Sequence, residues 1–422
     1  MSKLAFTSML ALLLILFANN ASAQVPGISY PQRFFPYQGW GAIVRGDTNT
    51  IGMAGATVAL PNTISAVEAN PAGLAMTLPS VSAQINSYSV QQPELNRSGE
   101  AVKEYQWGLG ANLPPWGFAL SYYSTASEKV GSSEIDIRQF RMGVGRLLGK
   151  RLAVGFNFEV HKADREFNGN TYNAGKIGWR LGVLYKLKDH WILGASYAPA
   201  LIIDAGAEDT PSSGFNQAIE EPQIVSFGVG FLPNRFFKAG FSVLAVGGTE
   251  RTTLLFDQNI PYGQRFTLQP RVGASYVLAE YNWIKAEFAT GSYLEVSRIG
   301  GQSDRLHFTF GLEVNPWFIN TGVGSDLSSH YKNFSASLGI DIVRTARFFG
   351  IIPKDPVPPY QGVLPSMTRI SNDGLPSGFT QGEKQKIAQP SVKDVQKIIQ
   401  QIPARLRKGW SPAFRKGSRH HK

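Results

Sequence analysis

Between about residue 80 and residue 344 the chain alternates apolar and polar positions in repeated stretches. In RLAVGFNFEV, Leu152, Val154, Phe156, Phe158 and Val160 share one face, opposite Arg151, Ala153, Gly155, Asn157 and Glu159. KIGWRLGVLYKL sets Ile177, Trp179, Leu181, Val183, Tyr185 and Leu187 against Lys176, Gly178, Arg180, Gly182, Leu184 and Lys186. RLHFTFGLEV and NFSASLGIDI repeat the pattern around Phe308 and Phe334. Period two means β-strand, because successive side chains point to opposite faces. Runs of about nine to eleven such residues match a tilted strand crossing a bilayer.

The alternation predicts strands near 80–89, 104–112, 116–124, 135–146, 151–162, 175–187, 190–201, 223–232, 235–247, 265–278, 283–294, 304–314, 317–325 and 331–344. A soluble β-sandwich would alternate too. Three features favour a membrane barrel. Aromatic residues (Trp107, Trp116, Trp179, Trp191, Trp283, Trp317) fall near strand ends, as an interfacial girdle requires, and the polar face is rich in Gly and mixed charge. Connections also alternate strictly, with turns such as LPP, LLGK, KD and NP between long loops such as PALIIDAGAEDTPSSGFNQAIEE. The expected fold is all-β, a fourteen-stranded antiparallel transmembrane barrel over residues 80–350, whose closure removes edges that lipid does not tolerate. An even strand count places both chain ends on the periplasmic side.

Targeting agrees. MSK, an apolar run LAFTSMLALLLILFA and Ala21-Ser22-Ala23 form the charged, apolar and cleavage regions of a secretory signal peptide over residues 1–23. The expected location is the bacterial outer membrane. The chain has no cysteine, so neither a lipidated N-terminal Cys nor a disulfide framework is available. The six histidines show no ligand spacing beyond His420-His421, and no metal or cofactor is expected. No nucleophile–base pair or carboxylate constellation stands out, so an enzyme is not expected.

Residues 24–79 precede the first strand, are rich in Gly, Ala and Pro, and lack sustained alternation. Such a segment either dangles at the periplasmic mouth or folds inward to plug the lumen. Its small residues permit close backbone packing, and Asn70-Pro71-Ala72-Gly73 reads as a turn. The run Gly52-Met53-Ala54-Gly55-Ala56 and the following SAVEANPAGL (residues 65–74) resemble the N-terminal hatch of FadL-type outer-membrane proteins. That superfamily includes long-chain fatty-acid transporters, channels for aromatic hydrocarbons and barrels attached to a secretion machinery. The resemblance implies a fourteen-stranded barrel with an internal hatch over residues 24–79. Asn70, Pro71, Ala72 and Gly73 would match the hatch motif, which either holds the plug or serves only as a structural turn. It also implies sideways release through a kinked strand, for which Trp116–Tyr123 after Pro114-Pro115 is the candidate.

A hydrophobic small-molecule ligand has candidate lining in Phe34, Phe35 and Trp40 of the hatch segment. Inward arginines Arg151, Arg180 and Arg305 are candidates to receive a carboxylate head group; alternatively they pair with Glu159 and Glu313 across neighbouring strands.

Charge separates the tail from the barrel. Residues 351–422 carry 13 Lys+Arg and 4 Asp+Glu, so they supply +9 of the formal +11. Phe348-Phe349 is expected to close the barrel. A Pro/Gly/Ser-rich linker (351–390) and a basic tail (391–422) follow, and in the tail SVKDVQKIIQQI has one apolar helical face. A periplasmic location argues against nucleic acid as partner. A periplasmic protein, cell-wall polymer or outer-membrane lipid fits better. Two functions therefore stand: a transporter for hydrophobic small molecules such as long-chain fatty acids, with capture outside and release past a mobile hatch, or a structural or secretion-associated barrel binding proteins through its loops or tail.

Overall fold

A computed structural model describes residues 33–36, 44–60 and 64–76 and most of 80–351, leaving out the connections at 92–101, 127–132, 204–216, 250–262 and 298–302 and several one- to three-residue breaks. The signal peptide, Trp40, Trp283, the linker and the basic tail lie outside the described residues.

Strand β1 (Arg33–Pro36) comes first, followed by helix α1 (Thr48–Gly52), helix α2 (Ala66–Ala69) and a 3-10 helix (Pro71–Ala75). Then come β2 (Ser80–Gln91), β3 (Val102–Leu113), β4 (Trp116–Ala126), β5 (Ser133–Leu148), β6 (Leu152–Phe167), β7 (Asn170–Lys188) and β8 (Trp191–Ala198). Beyond β9 (Leu201–Ile203) and β10 (Gln217–Glu221) run β11 (Ile224–Phe231), β12 (Phe237–Val246), β13 (Thr267–Glu280), β14 (Ile284–Glu295), β15 (Arg305–Pro316), β16 (Ile319–Ser328) and β17 (Tyr331–Asp341). Helix α3 (Ile342–Phe348) follows.

Strands β2–β8 and β11–β17 form one closed antiparallel barrel of fourteen strands, β17 pairing with β2. Each predicted strand is present within a few residues. The apolar faces point outward: Phe156, Ile177, Leu181, Phe308, Phe310, Phe334 and Leu338 are exposed, as lipid contact demands. Their alternate neighbours Asn157, Glu159, Arg180, His307 and Thr309 are buried in the lumen.

Four expectations need correction. Connection length does not alternate strictly, because Phe167 pairs with Asn170 and Ser328 with Tyr331, so only two residues separate these paired strand ends on the long-loop rim. Asn168-Gly169 is a strong hairpin signal, and it extends β6 and β7 beyond their expected ends. Trp116, Trp191 and Trp317 stand at the short-turn rim, but Trp107 and Trp179 lie well inside β3 and β7, so the girdle is narrower than expected. Phe348-Phe349 does not close the barrel: the last strand ends at Asp341, and the Thr345 hydroxyl donates to the Asp341 carbonyl at 2.7 Å in the first turn of α3. Arg151 is exposed in the turn before β6 and does not face the lumen.

A second sheet has the order β1-β10-β9. Its parallel β1–β10 ladder runs from Arg33↔Gln217 to Pro36↔Glu220. Since β9 and β10 belong to the β8–β11 connection, this pairing carries Phe34 and Phe35 to the long-loop side.

Candidate functional site

The lumen is filled by residues 44–60 and 64–76. Asp47 caps α1 by accepting from the Thr50 amide at 2.7 Å, and α1 lies against β13–β17. Asn70 is extended (φ −158°), so the chain leaves α2 there and re-enters as the 3-10 helix with Pro71 in its first turn. Its side-chain oxygen accepts from Ala72 N at 3.1 Å. Its amide donates to Val58 O at 2.8 Å within the hatch and to Val183 O of β7 at 3.1 Å. One side chain thus folds the hatch and ties it to the wall. Pro71, Ala72 and Gly73 are buried around it.

Glycines on the wall explain the closeness of this fit. Gly145, Gly155 and Gly182 are paired across β5, β6 and β7, forming one row. A Cβ on Gly182 would lie 2.0 Å from Asn70 Oδ1, and one on Gly155 would lie 2.3 Å from Ala72 N. Across the lumen Gly230, Gly240, Gly273 and Gly291 form a second row, where a Cβ on Gly240 would meet Ala56 O at 2.0 Å and one on Gly273 would meet Met53 O at 2.3 Å. Backbone approaches backbone where no side chain intervenes.

Buried hatch carbonyls then need donors from the wall. Asn112 donates to Leu74 O at 2.7 Å, Asn157 to Val67 O at 2.6 Å, Ser196 to Ala69 O at 2.8 Å and Thr309 to Gly52 O at 2.7 Å. Opposite charge adds to this. Glu68 of α2 lies 2.9 Å from Arg141 of β5 and also accepts from Gln106. Sequence reasoning did not single out these wall residues. Their signal is small or amide-bearing residues at the lumenal positions of the strands.

Toward the long-loop rim, at the top of the hatch and above it, the described lumen holds paired polar groups. Arg45 lies 3.5 Å from Glu104, and its guanidinium stacks 4.3 Å over Tyr123. Arg180 lies 3.4 Å from Glu159, the partner expected for it. Arg305 makes a two-pronged contact with Glu295 at 2.9 and 3.0 Å. Glu313, the other carboxylate expected to pair with the inward arginines, instead sits opposite Glu287 in the ladder. His307 bridges Asp326 (2.8 Å) and Glu295 (3.0 Å). His161 lies 3.1 Å from Glu159 and 3.4 Å from Glu221 of β10, clasping the loop sheet to the wall. Burial pushes the Glu221 carboxyl above its usual range; His161 opposes that rise and Glu159 adds to it. Glu159, His161 and Glu221 bring donor atoms within 4.8 Å of one another, a trio the sequence did not reveal. Arg141 and Arg180 already neutralise Glu159, so the set serves as an ion-pair network rather than a cation cage. Strand β4 pairs continuously with β3 and β5, and the ladder irregularities fall at β7/β8 and β13/β14.

No family model matches the chain, and no curated protein is found as a relative. Solved structures do match. A Pseudomonas aeruginosa FadL homologue superposes with a TM-score of 0.51 at 12% identity, covering 70% of this chain and 97% of that one. This chain has the FadL-type fold. The CymD monoaromatic hydrocarbon channel (TM-score 0.50, 12% identity, 70% and 96% coverage) and the P. putida toluene transporter TodX (0.50, 13%, 71% and 98%) share it. A FadL-type barrel with a filled lumen accounts for the short-turn rim, the inward hatch and the tethering of Asn70 together.

Proposed function

We propose that this FadL-type barrel is an outer-membrane channel for hydrophobic small molecules, captured on the long-loop side and released past a hatch that shifts. The observation that carries the reading is the hatch itself: residues 44–60 and 64–76 fill the barrel and are held at Asn70 by two hydrogen bonds to carbonyls, one of them on the wall. Passage through such a lumen requires the plug to move, and Asn70 is the hinge-like attachment. The names of the similar channels and the toluene transporter support the hydrophobic class of cargo. Long-chain fatty acids are one such cargo.

One observation favours a second reading, a structural barrel whose loops or tail bind proteins. Arg180 and Arg305, candidates for a carboxylate head group, are both paired with wall carboxylates. The test is uptake of labelled fatty acid and of toluene by cells lacking their own transporter, carrying wild type or Asn70→Ala, with surface level and folding checked. Uptake by wild type and its loss or deregulation in a folded Asn70→Ala barrel supports the channel. Absence of uptake of both compounds by inserted wild type overturns it in favour of the structural reading.

A further inference from the structure

We propose that residues 342–351 form a membrane-surface foot, lying on the lipid head groups of the periplasmic leaflet beside the short-turn rim. The lipid-facing column of β17 runs Phe334, Ala336, Leu338 and Ile340, all exposed. Helix α3 does not end that column. Ile342 follows with 49% of its surface exposed, and beyond the helix Phe349 and Ile351 are 65% and 47% exposed. The helix lies along the outer ends of β2 and β17, and the Phe349 ring lies 6.1 Å from that of Phe318 in the β15–β16 turn. In that turn Trp317 is itself half exposed. The last turn is closed by Phe349 N donating to Thr345 O (3.1 Å) and Ile351 N to Ala346 O (2.8 Å), so Phe349 and Ile351 are each held to the helix by a backbone hydrogen bond.

This patch is continuous with the surface that the barrel gives to acyl chains, at the rim where Trp116, Trp191 and Trp317 mark the interface. Apolar area left in water there costs on the order of 25 cal/mol per Å², and the head-group boundary removes that cost without a protein partner. Charge selects the same occupant. The helix sequence IVRTARF carries two arginines and no acid, and residues 351–422 add +9, which anionic head groups attract.

The absence of cysteine makes the test direct. Full-length single-cysteine variants Ile342→Cys, Phe349→Cys and Ile351→Cys are spin-labelled and reconstituted into phosphatidylethanolamine–phosphatidylglycerol vesicles. Leu338→Cys serves as lipid-facing reference and Ser303→Cys, exposed at the long-loop rim, as water-facing reference. Accessibility to oxygen relative to a nickel complex is expected to be several-fold above the Ser303 label at all three sites, at depths of about 5–10 Å. Ratios matching Ser303 overturn the proposal. So do labels shielded from both reagents, which would mean that the tail or a second copy covers the patch. Heat-dependent gel mobility verifies folding, and any one of the three sites suffices if another variant fails to fold.

Discussion

The carboxylate of Glu68, carried on the hatch, lies 2.9 Å from the guanidinium of Arg141 on the barrel wall, and both side chains are largely buried. Arg141 also approaches Glu159 at 3.5 Å, and Glu159 reaches His161, so one chain of charges links the plug, the wall and the loop sheet. Removing Glu68 leaves Arg141 beside Glu159, so the loss is that of a charge-assisted contact, about 1.5–3 kcal/mol. Glu68→Ala is therefore expected to speed amide exchange in α2 by roughly tenfold to a hundredfold, while exchange in the barrel strands stays the same. Unchanged exchange at Val67–Ala69 would show that the pair does not secure the plug.

The glycine row predicts a sharp positional contrast along β7. Gly182→Ala places a Cβ 2.0 Å from Asn70 Oδ1, which must displace the hatch. Gly175, exposed on the same strand, has nothing nearer than 3.5 Å and accepts alanine freely. Limited proteolysis of the hatch is expected to accelerate for Gly182→Ala alone. Equal rates in the two variants would refute a hatch wedged against bare backbone.

Adjacent residues on β15 separate the two faces. Phe310 is exposed to lipid, and Phe310→Arg is expected to lower barrel stability by about 2–4 kcal/mol in vesicle folding titrations. Thr309 faces inward and donates to Gly52 O at 2.7 Å. Thr309→Val should cost about 1 kcal/mol, felt in hatch exchange and not in barrel folding. A large barrel effect from Thr309→Val would mean that hatch and barrel fold as one unit.

Docking of the loop sheet should depend on pH through Glu221. Its folded pKa is raised by burial, so the docked state is favoured at low pH and weakens as pH rises from the ordinary carboxylate range through the raised value. Glu159, His161, Arg141 and Arg180 are the titratable and charged groups facing it. Exchange at Gln217–Glu221, corrected for intrinsic rates, is expected to be slower at pH 5 than at pH 8 in wild type, with the difference abolished in Glu221→Gln. Persistence of the difference in Glu221→Gln would assign it to another group.

All fourteen strands and their lipid faces were legible in the sequence, whereas an inward plug was one of two alternatives there and was implied only by the resemblance to the hatch. The strands and faces rest on local information: period-two alternation sets the faces, and strand length matches the bilayer. Which charges meet was not legible. The inward arginines were expected to pair with Glu159 and Glu313 across neighbouring strands, but Glu313 sits opposite Glu287. The closed register instead sets Arg305 opposite Glu295. The clasp between His161 and Glu221 and the ladder between Arg33–Pro36 and Gln217–Glu221 join segments far apart in the chain. The helix after Asp341 replaced an expected continuation of the last strand, whose ladder with β2 ends at the Asp341–Ser82 pair. Sequence by itself determined the faces and the number of the strands. Only the closed barrel, through its register, decided which lumenal groups touch, because those contacts run across strands and between hatch and wall rather than along the chain.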